Sequence, residues 1–325
     1  MKIGVMGTGN IAHVVIPTLL QMENVECYAV GARTLEKAEA FRAEFGFKKA
    51  YGSYEELVQD PEVELIYVVT QHPQHYDCIM LCIAYGKPVL CEKSFTINAA
   101  QAKNVQKFAQ EKGVFVAEAM WPRYMPSGKI IDDLLASGII GEPGTLTANL
   151  SYNIAYKERL IQPERGGGAL LDIGIYGLTF ALMHFGTDIE RIESSVSLTD
   201  TGVDGMETVT LFFKGGKMAV LTHSIFSRSD RQGIIHGEKG YIVVENINNP
   251  ASISVYDDHD NLLQKIDTSP RISGYEYEFD ACIKAIQEGK TEAPEHPLSE
   301  TVQVMEIMDG LRKDWGLVFP CEIET

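Results

Sequence analysis

The stretch "KIGVMGTGNIAHVVIPTLL" at residues 2–20 decides how this chain is read. It opens on a short apolar run and continues with apolar residues at helical spacing. Between the two, Gly7, Gly9 and Ala12 form a G-x-G-x-x-A pattern. Glycine lets backbone amides come close to a ligand, and the small third residue lets helix and strand pack tightly. The helix N-terminus then attracts an anion. A pyrophosphate suits that arrangement, so Gly7, Thr8, Gly9, Asn10 and Ile11 are expected to hold a dinucleotide. A glycine turn in an unrelated sheet has the same letters; what separates the two is strand–helix alternation around it.

The neighbouring sequence supplies that alternation. Short β-rich runs at 2–6, 25–31, 65–69, 89–91 and 114–117 alternate with helical patterns at 11–22, 34–45, 75–85 and 98–111. Runs such as "ELIYVV" do not alternate polar with apolar, as expected for strands covered on both faces. Residues 1–120 are therefore expected to form an α/β domain, a Rossmann-type doubly wound parallel sheet. Beyond about residue 120 the rhythm changes. A helical stretch at 127–136 precedes a β run at 145–154 and an apolar helix within 166–180. Strands dominate from 192 to 266. "ETVTLFFKGGKMAVLTHS" has the Gly-Gly signature of a hairpin, and "IIHGEKGYIVVE" reads similarly. With closing helices at 275–288 and 298–315, residues 121–325 are expected to be an α+β domain on an open, mainly antiparallel sheet. A chain of 325 residues exceeds the roughly 250–300 at which a single core stops growing, so two cores are expected.

A net charge of -17 argues against nucleic acid or an anionic membrane surface as partner. Any phosphate must be held by a local site. Six cysteines, at 27, 78, 82, 91, 282 and 321, show no disulfide framework and favour a reducing compartment. With no room for a signal peptide before residue 2, and no run of about 18 uncharged apolar residues, a cytoplasmic location is expected. Cys78 and Cys82 share a helical face with His75, but no second ligand pair at zinc spacing accompanies them. Core packing is the favoured role, and no metal is expected.

The second strand ends in "YAVGARTLEKA". A site for NAD would place a carboxylate near that end for the ribose hydroxyls, whereas Ala32, Arg33 and Thr34 stand there. A guanidinium pairs with a 2′-phosphate that a carboxylate would repel, so the expected cofactor is NADP, with NAD the alternative. A solvated arginine opening a helix is the competing role for Arg33.

"GKPVLCEKSFTINAAQA" (86–102) resembles the Glu-Lys-Pro segment of the glucose–fructose oxidoreductase, inositol dehydrogenase and rhizopine-catabolism (Gfo/Idh/MocA) superfamily. The likeness extends through "TQHPQH" (70–75), "EAMWPRYMP" (118–126), "GGGALLDIGIY" (166–176), "TGVD" (201–204) and "PLSET" (297–301). Together these are similar to the dimeric dihydrodiol dehydrogenase branch, which also acts as NADP-dependent D-xylose dehydrogenase. The resemblance implies that Lys93 is the catalytic lysine and Tyr176 the site tyrosine, where many members have histidine; on the residues alone, a surface lysine paired with Glu92 is the competing role for Lys93. It also implies that Thr70, His72, Glu92 and Lys93 line the cofactor, joined by His75 unless that residue has a structural role at the helix start, and that the chain forms a homodimer through its second-domain sheet. In this loop Gln71 and His72 replace the commoner Pro-Asn. Trp121 and Arg123 suit contact with a polyol, and serve equally as a domain anchor. The family's usual proline after the lysine is Ser94 here. A cis bond before a non-proline costs about 2.5–4 kcal/mol, so a trans bond is expected.

Asp172 and Tyr176 interrupt an apolar helix at i, i+4 and so share a face. Oxidation of an alcohol needs a group to take the hydroxyl proton. A free phenol with a pKa near 10 is ionised to under about 1% at neutral pH. An ammonium about 4 Å away is worth roughly 4 kcal/mol at an effective dielectric near 20. At about 1.36 kcal/mol per unit, that brings the phenol toward about 7, with desolvation opposing. Tyr176 with Lys93 is therefore expected to handle the proton, although Lys93 could exchange it directly. Asp172 is expected to orient a substrate hydroxyl or Lys93, and Gly166–Gly168 to let the helix start approach the ligand. A satisfied polar patch inside the domain is the bland role for Asp172 and Tyr176. The function expected is hydride transfer between nicotinamide and a secondary alcohol of a sugar, polyol or trans-dihydrodiol. A silent NADP(H)-binding regulator and a redox-assisted glycoside hydrolase are the alternatives, separated by net turnover at the nicotinamide band.

Overall fold

A computed structural model describes residues 1–323. The chain divides into two compact units. One comprises Met1–Tyr124 with Arg271–Glu306; the other comprises Met125–Pro270 with the residues from Ile307 onward.

In the first unit, β1 (Lys2–Met6), α1 (Asn10–Leu19), β2 (Glu26–Gly31), α2 (Leu35–Phe45), β3 (Lys49–Tyr51) and α3 (Tyr54–Gln59) are followed by β4 (Leu65–Val68), α4 (His72–Ala84), β5 (Val89–Glu92), α5 (Ala99–Lys112) and β6 (Val116–Ala119). The sheet order is β3-β2-β1-β4-β5-β6 and every pairing is parallel. Strands β4, β5 and β6 are buried at every residue, which is why their sequences lack alternation. Caps set the helix starts: Thr34, Ser53 and Asn98 each accept a hydrogen bond from the amide three residues on. β3 and α3 have no counterpart in the sequence reading. Three and six residues are too few to display a period.

The second unit contains α6 (Pro126–Ala136), β7 (Pro143–Ser151), α7 (Ile175–Phe185), β8 (Ile189–Leu198), β9 (Asp204–Phe213), β10 (Met218–Ser224), β11 (Gly233–Gly237), β12 (Gly240–Val244), β13 (Ser252–Asp257) and β14 (Leu262–Asp267). These strands form one sheet, β14-β13-β12-β11-β7-β10-β9-β8, antiparallel except between β7 and β10. The β9–β10 hairpin, with Phe213 N donating to the Lys217 carbonyl at 2.9 Å, has a three-residue loop, Lys214–Gly216, in which Gly215 and Gly216 both have φ of 86°, a left-handed geometry that favours glycine. The expected helix within 166–180 begins as a π turn over Leu170–Gly174 and becomes α-helical at Ile175. Pro163–Phe185 has the length and hydropathy of a membrane span, yet 89% of the window is buried inside the protein, as in a core helix. Two helices close the chain. α8 (Glu276–Gln287) belongs to the first unit, and α9 (Leu298–Asp314) starts there and ends in the second.

Candidate active site

In the first unit the order of strands reverses between β1 and β4, and open sheets of this kind bind ligands beyond the carboxyl ends of strands at such a point. Gly7 leaves β1 with φ of +115°, and a Cβ there would lie 2.9 Å from the Val69 carbonyl oxygen. Only glycine fits. Gly9 caps α1 without a side-chain hydrogen bond, and no acidic residue occupies the first turn. The leading amides, with Gly9 and Asn10 exposed and Thr8 and Ile11 half-buried, therefore suit a pyrophosphate. Arg33 is exposed beyond β2 and close enough to Tyr54 to act on its phenol. The Thr34 hydroxyl caps α2, accepting from Lys37 N at 3.4 Å.

The loops after β4 and β5 are tied together by His75. Its ring is fully buried, with Nδ1 2.9 Å from the Ser94 carbonyl and Nε2 3.3 Å from the Thr70 carbonyl. The ring of His72 lies 5.7 Å away. Lys93 follows β5 and is half-buried. The expected trans bond after it is overturned: Lys93–Ser94 is cis. Local peptide preference is not the only constraint here, because tertiary contacts hold both sides of the segment. His75 contacts the Ser94 carbonyl, and Phe95 N donates to Glu118 Oε1 at 3.1 Å.

Glu92 turns inward. Its carboxylate accepts from the buried Tyr67 hydroxyl. Burial pushes its carboxyl up to about 7, against the Tyr67 hydrogen bond and the Lys93 ammonium. Glu278 on α8 is also fully buried, with neither carboxyl oxygen hydrogen-bonded among the described residues. Burial and the nearby Glu92 push it well above the usual carboxylate range. Trp121 stacks on Tyr275 with ring centroids 4.4 Å apart. Arg123 pairs with Glu300 at 2.5 Å and donates to the Glu295 carbonyl at 3.0 Å. Both side chains thus have anchoring partners within this unit. Cys78 and Cys82 are buried in its interior.

In the second unit the π turn carries Asp172 and the first turn of α7 carries Tyr176, both buried. Arg159 grips Asp172 with Nη1–Oδ1 at 2.9 Å and Nη2–Oδ2 at 3.4 Å. The sequence reading did not weigh Arg159. Π turns inside helices recur at functional sites. The close neighbours of Gly167 and Gly168 are protein atoms: the Leu160 and Gln162 carbonyls and the Asp204 carboxylate.

Sequence reasoning also missed Glu118, His296, Asp204, Glu207 and His223. A signal existed for the last two. They sit in phase with the buried members of β9 and β10, where a polar residue is unusual.

Residues 1–120 match the oxidoreductase family with an NAD-binding Rossmann fold, and residues 129–243 match the GFO/IDH/MocA C-terminal domain. A trans-1,2-dihydrobenzene-1,2-diol dehydrogenase from Mus musculus is 34% identical over 333 residues, covering 98% of each chain. Its counterpart from Homo sapiens is 34% identical over 329 residues, again covering 98% of each. Among solved structures, a 3-ketoreductase from Actinomadura kijaniata, in complex with NADP and TDP-benzene, superposes with a TM-score of 0.87. It is 24% identical, with 96% of this chain and 97% of that one covered. An aldose-aldose oxidoreductase from Caulobacter crescentus gives a TM-score of 0.88 at 18% identity, covering 97% of each chain. The structural likenesses establish the shared fold; the full-length identity and the paired domain matches establish that this chain belongs to the GFO/IDH/MocA family of NAD(P)-dependent oxidoreductases.

Proposed function

We propose that the protein is an NADP(H)-dependent oxidoreductase acting on a secondary alcohol of a sugar, a polyol or a trans-dihydrodiol. The observation that carries the reading is Lys93 at the carboxyl end of β5, in a chain aligned end to end with dihydrodiol dehydrogenases. Nicotinamide, when bound, supplies the hydride chemistry. The amides of Gly7, Thr8, Gly9, Asn10 and Ile11 hold the pyrophosphate. Arg33 takes the 2′-phosphate, helped by the absence of a carboxylate at the end of β2. Tyr176 is the immediate acid/base for the substrate hydroxyl, and the Lys93 ammonium stabilises its phenolate. Asp172, gripped by Arg159, orients the hydroxyl or the lysine.

The reading includes a cytoplasmic homodimer formed through the second unit's sheet, whose strands alternate buried with more exposed residues. Light scattering on the purified protein tests the dimer, and fractionation of the source cells tests the location. The activity is tested by screening aldoses, polyols and aromatic dihydrodiols with NADP+ and NAD+ at the nicotinamide absorbance band. NADP+-dependent turnover is expected with at least one class. Silence across the panel with both cofactors sinks the reading.

A further inference from the structure

Beside the π turn lies a group of buried polar side chains that no step above uses. Asp204 and Glu207 on β9 and His223 on β10 are each 1% exposed. Strand alternation explains the direction of Glu207 and His223. Glu207 is in phase with buried Val209, Leu211 and Phe213, and His223 with buried Ala219 and Leu221. The register then sets His223 directly opposite Glu207, with Nδ1 3.2 Å from Oε1. Asp204 Oδ2 accepts from Leu170 N, the first residue of the π turn, at 2.5 Å.

The turn meets this cluster through glycines. A Cβ at Gly168 would overlap the Asp204 carboxylate, one at Gly174 would overlap Glu207 Oε1, and one at Gly177 would overlap His223 Nε2. Gly174 and Gly177 flank Tyr176, and Gly168 precedes Asp172 by one turn. Each contact fixes the turn at a different point along its length. Glu207 Oε2 and His223 Nε2 have no hydrogen-bond partner among the described residues. Apolar side chains would pack there without that penalty, so stability alone is a poor reason for these residue types. Burial also pushes the Glu207 carboxyl up to about 8 and the His223 imidazole down to about 3, so the pair is held without net charge.

We propose that Asp204, Glu207 and His223 are positioning residues for the reaction: they set the height and rotation of the π turn, and so aim Asp172 and Tyr176. The inference rests on the assignment of Tyr176 as acid/base made above.

The test uses the missing space. Gly177→Ala drives a methyl onto His223 Nε2. Turnover is expected to fall about tenfold or more, with the acid/base limb of the pH profile displaced and the NADP(H) dissociation constant unchanged. Adding His223→Ala relieves the clash but removes the imidazole's hold on the helix, so the double variant is expected to regain part of the lost turnover while staying below wild type. Wild-type turnover in Gly177→Ala, or a double variant no better than Gly177→Ala, overturns the proposal. Should Gly177→Ala fail to fold, Asp204→Asn against Asp204→Ala decides the matter. Asparagine still accepts from Leu170 N, whereas alanine cannot. Asp204→Asn is expected to keep turnover within about threefold of wild type, while Asp204→Ala loses about tenfold or more. The Leu170 amide should exchange with solvent at least about tenfold faster in Asp204→Ala than in Asp204→Asn. Equal behaviour of the two variants overturns the proposal. Amide exchange does not depend on what Tyr176 does. If Tyr176→Phe is fully active while the exchange contrast holds, the acid/base assignment fails and the hold on the turn survives.

Discussion

Each unit holds a buried carboxylate beside a histidine, yet the two imidazoles are shifted in opposite directions. In the first unit Glu118 accepts from Phe95 N at 3.1 Å and from Thr301 Oγ1 at 2.9 Å, with His296 Nε2 at 3.0 Å. Burial opposes a charge on His296, but Glu118 and Glu300 outweigh it and raise its pKa above the ordinary value. In the second unit burial wins: His223 is pushed down to about 3 beside a Glu207 pushed up to about 8. The surroundings differ as well: Glu118 meets three donors, whereas Glu207 has His223 Nδ1 on Oε1 and, among the described residues, no hydrogen-bond partner on Oε2. A buried imidazole is pushed up where facing carboxylates outweigh desolvation, and down where they do not.

The comparison is broken most decisively at the chemistry. Tyr176→Phe should lower turnover by about 100-fold or more with NADP(H) affinity intact, since acid/base catalysis contributes roughly 10²–10⁴. Comparable turnover with and without the phenol would remove the second unit's part in the reaction. The first unit is probed through its nucleotide loop. Arg33→Ala should weaken NADP(H) binding by about 10- to 100-fold and leave NAD(H) unchanged, because a hydrogen bond to a charged group is worth about 1.5–3 kcal/mol. Titration calorimetry with both cofactors reads that ratio, and unchanged NADP(H) affinity ends the assignment.

Stability against pH compares the two histidines directly. His223, with a folded pKa of about 3, contributes stability that is full above about 6.5 and is lost as pH falls toward 3. The penalty of His223→Gln should therefore shrink on acidification from pH 7 to 4.5, by on the order of 2 kcal/mol. His296, raised, contributes stability that is full below about 6.5 and is lost as pH rises through its folded value. The penalty of His296→Gln should grow as pH falls from 8 to 6. Denaturant melts across that range give the two slopes, and slopes of the same sign would erase the distinction. Glu207 supplies a third slope. Its carboxyl contributes stability that is full below about 4.5 and declines toward pH 8. Glu207→Gln has no proton to lose, so its stability relative to wild type should rise between pH 5 and 8.

Much of the site was legible because it is local. Gly7, Gly9 and Ala12 announce a strand–turn–helix within a dozen residues, and Lys93 directly follows the short strand "VLCE". What escaped were partners. His75 and Glu92, expected to line the cofactor, spend ring nitrogens and a carboxylate oxygen on Thr70, Ser94 and Tyr67. Asp204, Glu118 and Thr301 lay inside recognised motifs, but nothing adjacent in sequence said what each would touch.

By itself, then, the sequence determined the strand–helix alternation of the first unit, the hairpins of the second and the chemical types gathered in the motifs. Side-chain period and turn dihedrals are set within about ten residues, so they can be read in one dimension. Tertiary structure decided that residues 271–306 belong with the first unit, that the bond after Lys93 is cis, and which way each buried histidine is shifted. Those outcomes depend on encounters between distant residues: Glu118 meets His296 across 178 positions, and Leu170 meets Asp204 across 34. A buried imidazole takes its shift from the carboxylates that folding brings to it, set against desolvation, and no local pattern counts them.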